Sequence, residues 1–192
     1  MHLTSRLLGA GFVAALVSTP ALADPGWRAS LAGGITRSNS ECRGATSCDK
    51  NGSGLRAAAG WIGPRSVGFE VVAHELGATR ATGNVGGLPV SVESRVRSLG
   101  AGVAIDHREG DWSFHGRLGA TRARATLESR APGLSDTSSD TSTQPYVSIG
   151  LGYRFAPGFT AIVAWDSLNA KNRNADYTHD VTLLSFGVQA QF

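Results

Sequence analysis

The closing stretch, residues 178–192 (THDVTLLSFGVQAQF), constrains the chain more than any other. Thr182, Leu184, Phe186, Val188, Ala190 and Phe192 alternate with Val181, Leu183, Ser185, Gly187, Gln189 and Gln191. From Leu184 onward one set is wholly apolar and the other small or polar. A period of two is the signature of a strand, whose successive side chains point to opposite faces. The apolar face needs an apolar environment, and the paired strands beside it must share its alternation.

Runs of the same kind recur along the chain. Residues 26–36 place Trp27, Ala29, Leu31 and Ile35 opposite Arg28, Ser30 and Ala32. Residues 53–62, 66–76, 89–105, 112–123, 144–155 and 159–168 repeat the pattern, for eight predicted strands in all. In the run 89–105 the half carrying Glu93, Arg95 and Arg97 breaks it. A bulge, or a projection beyond the apolar zone, accounts for such a break. Three connections are short turns (63–65, 106–111 and 156–158), and Gly-Pro or Pro-Gly marks the first and last. Four are long and polar (37–52, 77–88, 124–143 and 169–177). Long and short connections alternate, so they fall on opposite ends of an up-and-down, all-β antiparallel arrangement.

Composition agrees. The chain carries 25 Gly but lysine only at positions 50 and 171. Residues 1–23 read as a secretory signal, with Arg6, an apolar run over 7–17 and a small-residue site at Ala21-Leu22-Ala23. That leaves 24–192 as one domain, with no later run near the ~20 apolar residues of a membrane helix. In an exported chain Cys42 and Cys48 are expected to form a disulfide. A zinc site is the poorer reading, because neither a His nor a second Cys pair stands beside them.

Eight strands make either a soluble, ligand-holding barrel or a membrane barrel. Two features favour the membrane. The apolar faces carry no charge over a membrane-length stretch, while the opposite faces carry Arg28, Arg56, Glu70, His115, Arg117, Arg154 and Asp166 among small residues. The aromatics Trp27, Trp61, Trp112, Tyr153, Phe159 and Phe192 fall at the short-turn ends, with Trp165 toward the long-loop ends, as interface girdles do. The fold predicted is an eight-stranded antiparallel up-and-down transmembrane β-barrel in the cell outer membrane.

The stretch CDKNGSGLRAAAGWIGPRSVGFEVVAHELG resembles the first hairpin of OmpA-like outer-membrane barrels, and THDVTLLSFGVQAQF resembles their last strand. The shared features are the loop Cys pair, a Gly-aromatic closing the second strand and a Phe-Glu-Val opening the third. The resemblance implies insertion by the outer-membrane assembly machinery, which recognises the closing strand. Ile162 and Ala164 depart from the family's pattern, because its members often carry charges there. The chain ends at the barrel, so the peptidoglycan-binding domain of full-length OmpA is expected to be absent.

Candidate chemistry follows. The interior of an eight-stranded barrel is just wide enough for its own side chains. Glu70 among four arginines therefore reads as a structural plug, with a gated ion path as the alternative. The Ser/His/acid set noted in the sequence, Asp166, Ser167 and His179, has Ser167 on the opposite face from the other two, which argues against a hydrolase. It leaves an Asp166–His179 pair at the barrel mouth. Arg95, Arg97, Arg122, Arg124 and Arg130 gather near the long loops and are candidates for lipopolysaccharide phosphates. Without Arg6 of the signal the barrel carries a formal charge of 17 − 15 = +2, which makes no nucleic-acid patch. The protein is expected to be a monomer with no metal or other cofactor and no catalysis, acting through its loops. A lipid A-modifying enzyme and a narrow channel are the rival readings.

Overall fold

The computed structural model describes residues 26–39, 45–172 and 177–192. These form β1 (Trp27–Ser38), β2 (Ser47–Asp49), β3 (Asn51–Ile62), β4 (Val67–Val85), β5 (Leu88–Glu109), β6 (Trp112–Ala131), β7 (Leu134–Ala156), β8 (Phe159–Asn172) and β9 (Tyr177–Gln191). The eight long strands pair antiparallel with their chain neighbours. The ring closes where β9 meets β1, with Ala29 opposite Ala190 and Ile35 opposite Leu184. Closure leaves the wall without an edge, so every ladder group inside a bilayer finds its partner within the protein.

Burial shows which face is outward. Ile35, Leu118 and Phe186 are 66, 64 and 64% exposed, whereas Arg56, Asp166 and Leu183 are fully enclosed. A soluble barrel hides its large apolar side chains; this one wears them as a continuous outer belt, too extensive for a surface in water. β6 crosses the belt between Trp112 and Ala120, within the ~9–11 residues that a tilted strand needs. At the short-turn end the outward aromatics pack on one another: Trp27 on Phe69 at 5.9 Å, Trp61 on Phe69 at 6.3 Å, Trp112 on Tyr153 at 5.1 Å and Phe155 on Phe159 at 6.3 Å. The amide of Phe192 donates to the Trp27 carbonyl at 2.9 Å, which ties the chain end to the seam. Trp165 is the last apolar outward residue of β8 before Ser167, at the belt's other edge.

Two of the expected long loops are strands. Residues 77–88 are not a Gly-rich loop: β4 and β5 stay paired to Val85 opposite Leu88 and turn at Gly86-Gly87, with φ of +60° and +83°. Positive φ at both central residues is what a tight hairpin turn demands, and Gly supplies it without strain. Residues 124–143 likewise continue β6 and β7, paired to Ala131 opposite Leu134, with Gly133 at φ +77° in the turn. Above the belt both faces of a strand meet water, so the apolar alternation that marks a strand disappears while the ladder continues. Residues rich in Thr, Ser and Val still suit extended backbone.

The register shift at this end lies on β4, between Leu76 and Thr79, rather than on β5. Beyond it β2 lies along β4, with Cys48 opposite Ala81, so that β2 resumes the line of β3. The upper part of β7 has β6 on one side only among the described residues, since pairing with β8 begins at Tyr146 opposite Leu168. Outside the membrane zone the barrel thus opens into a projecting sheet of β2, β4, β5, β6 and β7.

Candidate functional site

Inward-facing side chains from seven strands meet in the lumen. Glu70 on β4 accepts from Arg56 Nη2 and from Arg117 Nε, each at 2.7 Å, and from the Tyr146 hydroxyl at 3.4 Å. Arg56 also donates to Ser30 Oγ at 3.1 Å, and its Nε stands 3.4 Å from Asp166 Oδ1. His74 lies between Ser98 Oγ at 3.1 Å and Asp166 Oδ1 at 3.8 Å. Nearer the short-turn end Arg28 pairs with Asp106, and His115 Nδ1 lies 2.9 Å from the same carboxylate. Three arginines thus face three carboxylates. Charges taken out of water must be matched in this way, since an uncompensated one costs several kcal/mol.

Toward the long-hairpin end the filling becomes apolar. Leu76, Val96, Tyr146, Leu168, Val181 and Leu183 form one buried cluster above the charges. The void left among the charged residues is about 20 Å³, room for about one water. The lumen is a core turned to the axis of the barrel.

A second group lies outside, at the belt's outer edge. Arg97 and Arg124 are directly opposite each other on β5 and β6, and Arg122 is opposite Leu99 one outward position nearer the membrane. Arg97 reaches Glu75 at 2.8 Å and Arg124 donates to Ser139 Oγ at 3.2 Å. Arg95 and Arg130 stand farther out and are held by Glu93 at 2.7 Å and Glu128 at 3.0 Å. The Arg95 hydrogen bond keeps the Glu93 carboxyl below its ordinary pKa and raises that of Arg95 itself.

The family model described as "Outer membrane protein beta-barrel domain" matches residues 7–192. The chain belongs to that outer-membrane β-barrel family. Solved structures of the family's architecture align with it. Ail, the attachment invasion locus protein of Yersinia pestis, is 22% identical, with 86% of this chain and 98% of that one covered and a TM-score of 0.53. Neisserial surface protein A is 17% identical, covering 86% and 97%, with a TM-score of 0.57. OprG of Pseudomonas aeruginosa is 12% identical, covering 88% and 97%, with a TM-score of 0.54. At these identities the likeness is one of fold. A search of the curated proteins finds no match.

Within this outer-membrane barrel most of the anticipated lumen set is brought together: Arg28, Arg56, Glu70, His115, Arg117 and Asp166. Arg154 is not part of it. It follows the inward parity but lies at the very end of β7, beside a register shift, and turns out to Asp111 at 2.9 Å with both side chains exposed. Asp166 is not at the barrel mouth either. It is enclosed beside Arg56 and His74, because β8 and β9 run on past it. The side chain of His179 lies outside the described residues, as does Cys42; Cys48 sits on β2 and is not a free thiol.

Two participants escaped the sequence reading. Asp106 looked like a turn residue, but β5 continues to Glu109 and points it inward. His74 shares the inward parity of Glu70 on β4, and only the position of Asp166 across the lumen reveals its partner.

The structure also assembles a Ser/His/acid set that strand order conceals. His115 Nε2 is 3.0 Å from Ser113 Oγ, and Nδ1 faces Asp106. With the carboxylate accepting from Nδ1–H, Ser113 donates to Nε2, the hydrogen bonding of a hydrolase triad. The surroundings oppose that chemistry. Asp106 is already paired with Arg28, Arg117 lines the same one-water void as His115, and Ser113, 1% exposed, does not reach that void. A nucleophile needs room for the reacting carbonyl beside it. Here the three groups orient one another within the plug.

Proposed function

We propose that this outer-membrane barrel serves as a closed, non-conducting scaffold that presents its projecting hairpins to partners outside the cell. The observation that carries this reading is the filled lumen: balanced ion pairs below and an apolar cluster above leave no route for a solute. What remains accessible is the sheet formed by the upper halves of β4 to β7. Exposed segments held on a rigid scaffold are where proteins of this build place recognition. Ail, whose name refers to attachment and invasion, is a barrel of similar fold, and this supports looking to the outer face. The proposal carries with it export by removal of residues 1–23, a Cys42–Cys48 disulfide steadying the first outer connection, insertion by the assembly machinery, and a monomer.

Conductance decides between scaffold and channel. Reconstituted into planar bilayers, the folded protein is expected to give no discrete current steps, and reproducible unitary steps would replace the scaffold by a channel. For catalysis, an unchanged mass of lipid A after expression is the expected result; a trimmed or acylated product would make it an enzyme.

A further inference from the structure

We propose that Arg97, Arg122 and Arg124 form a cradle for the phosphate groups of lipopolysaccharide in the outer leaflet. On β4, β5, β6 and β7 the apolar belt ends at Ala73, Leu99, Ala120 and Pro145, and the next outward residues are Glu75, Arg97, Arg122 and Thr143. This is the level at which hydrocarbon gives way to lipid headgroups. Side chains there meet lipid rather than a distant partner in solution.

Arg97 and Arg124 are cross-strand neighbours, close enough for like charges to repel and destabilise the pair. Arg122 stands beside them, and among the described residues neither it nor Arg124 has a carboxylate partner. Glu75 alone offsets three guanidinium groups, and as an exposed partner it contributes little. An anion held between the facing arginines turns the repulsion into attraction. The planar fork of arginine matches phosphate oxygens two at a time. Arg95 and Arg130 are left out, because Glu93 and Glu128 already occupy them and they stand farther from the belt.

Free phosphate offers the same chemistry, so the test separates the two sources. The full-length mature protein, in neutral detergent, is mixed with diphosphoryl lipid A, with its dephosphorylated form, or with inorganic phosphate, and bound lipid is read by native mass spectrometry. Diphosphoryl lipid A is expected to bind and the dephosphorylated form to be lost. The triple variant Arg97→Gln/Arg122→Gln/Arg124→Gln should bind the diphosphoryl form at least about tenfold more weakly. The pair Arg95→Gln/Arg130→Gln should stay within about twofold of the parent. Equal losses in both variants, equal binding of the dephosphorylated lipid, or displacement by millimolar inorganic phosphate would each overturn the cradle. Unboiled gel migration establishes that each variant is a closed barrel, and the comparison of the two lipid forms needs no variant at all. Arg124→Gln gives a second readout: it should raise the unfolding midpoint in neutral detergent and lower it when lipid A is present. Absence of that reversal also counts against the cradle. The inference rests on the membrane setting of the barrel and on no extracellular partner. It therefore stands or falls separately from the scaffold reading, which conductance tests.

Discussion

Glu70 is the residue on which the lumen turns, because its two oxygens are taken by arginines from β3 and β6, to either side of its own strand. Glu70→Ala would leave Arg56, which is fully enclosed, and Arg117 without their shared carboxylate. The expected cost is about 3–5 kcal/mol, the range for breaking a buried pair by removing one member. It should appear as a lower urea midpoint for unfolding from lipid vesicles; a change below ~1 kcal/mol would mean that the pair is solvated. Glycine matters at a different place. A side chain at Gly187 would meet the Leu31 carbonyl oxygen at 2.1 Å and Ala32 Cα at 2.5 Å, across the seam between β9 and β1. Gly187→Leu is therefore expected to block closure, and the unboiled protein should run on a gel like the boiled one. A retained shift would show that the seam can yield.

The hairpins behave as elements separable from the wall. Residues 80–93, beyond the β4 bulge, contribute nothing to the buried apolar cluster or to the lumen ion pairs, which lie within the ring. Replacing residues 80–93 by an Asn-Gly turn should leave heat-modifiability and the unfolding midpoint nearly unchanged, while loss of the shift would show that the extension helps to fold the barrel. These same hairpins mark where sequence reasoning stopped. The membrane-crossing halves were legible because lipid on one side and packed core on the other impose alternation on every strand. Leu184, Phe186 and Val188 could be read against Leu183 and Ser185 for that reason alone. Once both sides are aqueous, Thr79 to Val85 and Leu134 to Thr143 carry no such mark, and a strand looks like a loop. The lumen was half legible. Parity placed Arg56, Glu70 and Arg117 on one face, but only the register across non-adjacent strands shows that His74 meets Asp166. The inward aim of Asp106 depended on where β5 ends.

At the scale of the molecule, the protein is two constructions joined at the membrane surface: a sealed ring below and an open sheet above. The ring has no unpaired strand, so nothing in the bilayer can add to it. The sheet is different. The outermost stretch of β7, LSDTSS, offers a row of backbone donors and acceptors and pairs as a strand with β6 alone among the described residues. In a crowded membrane such a row invites the matching row of the next molecule, which is the start of edge-to-edge aggregation. Read in that light, the Asp, Ser and Thr that disguised this segment as a loop have a purpose of their own. Asp136 puts negative charge along that flank, and the Ser and Thr around it leave a neighbouring strand little to bury. The composition that hides the strand from the reader also hides it from its own copies.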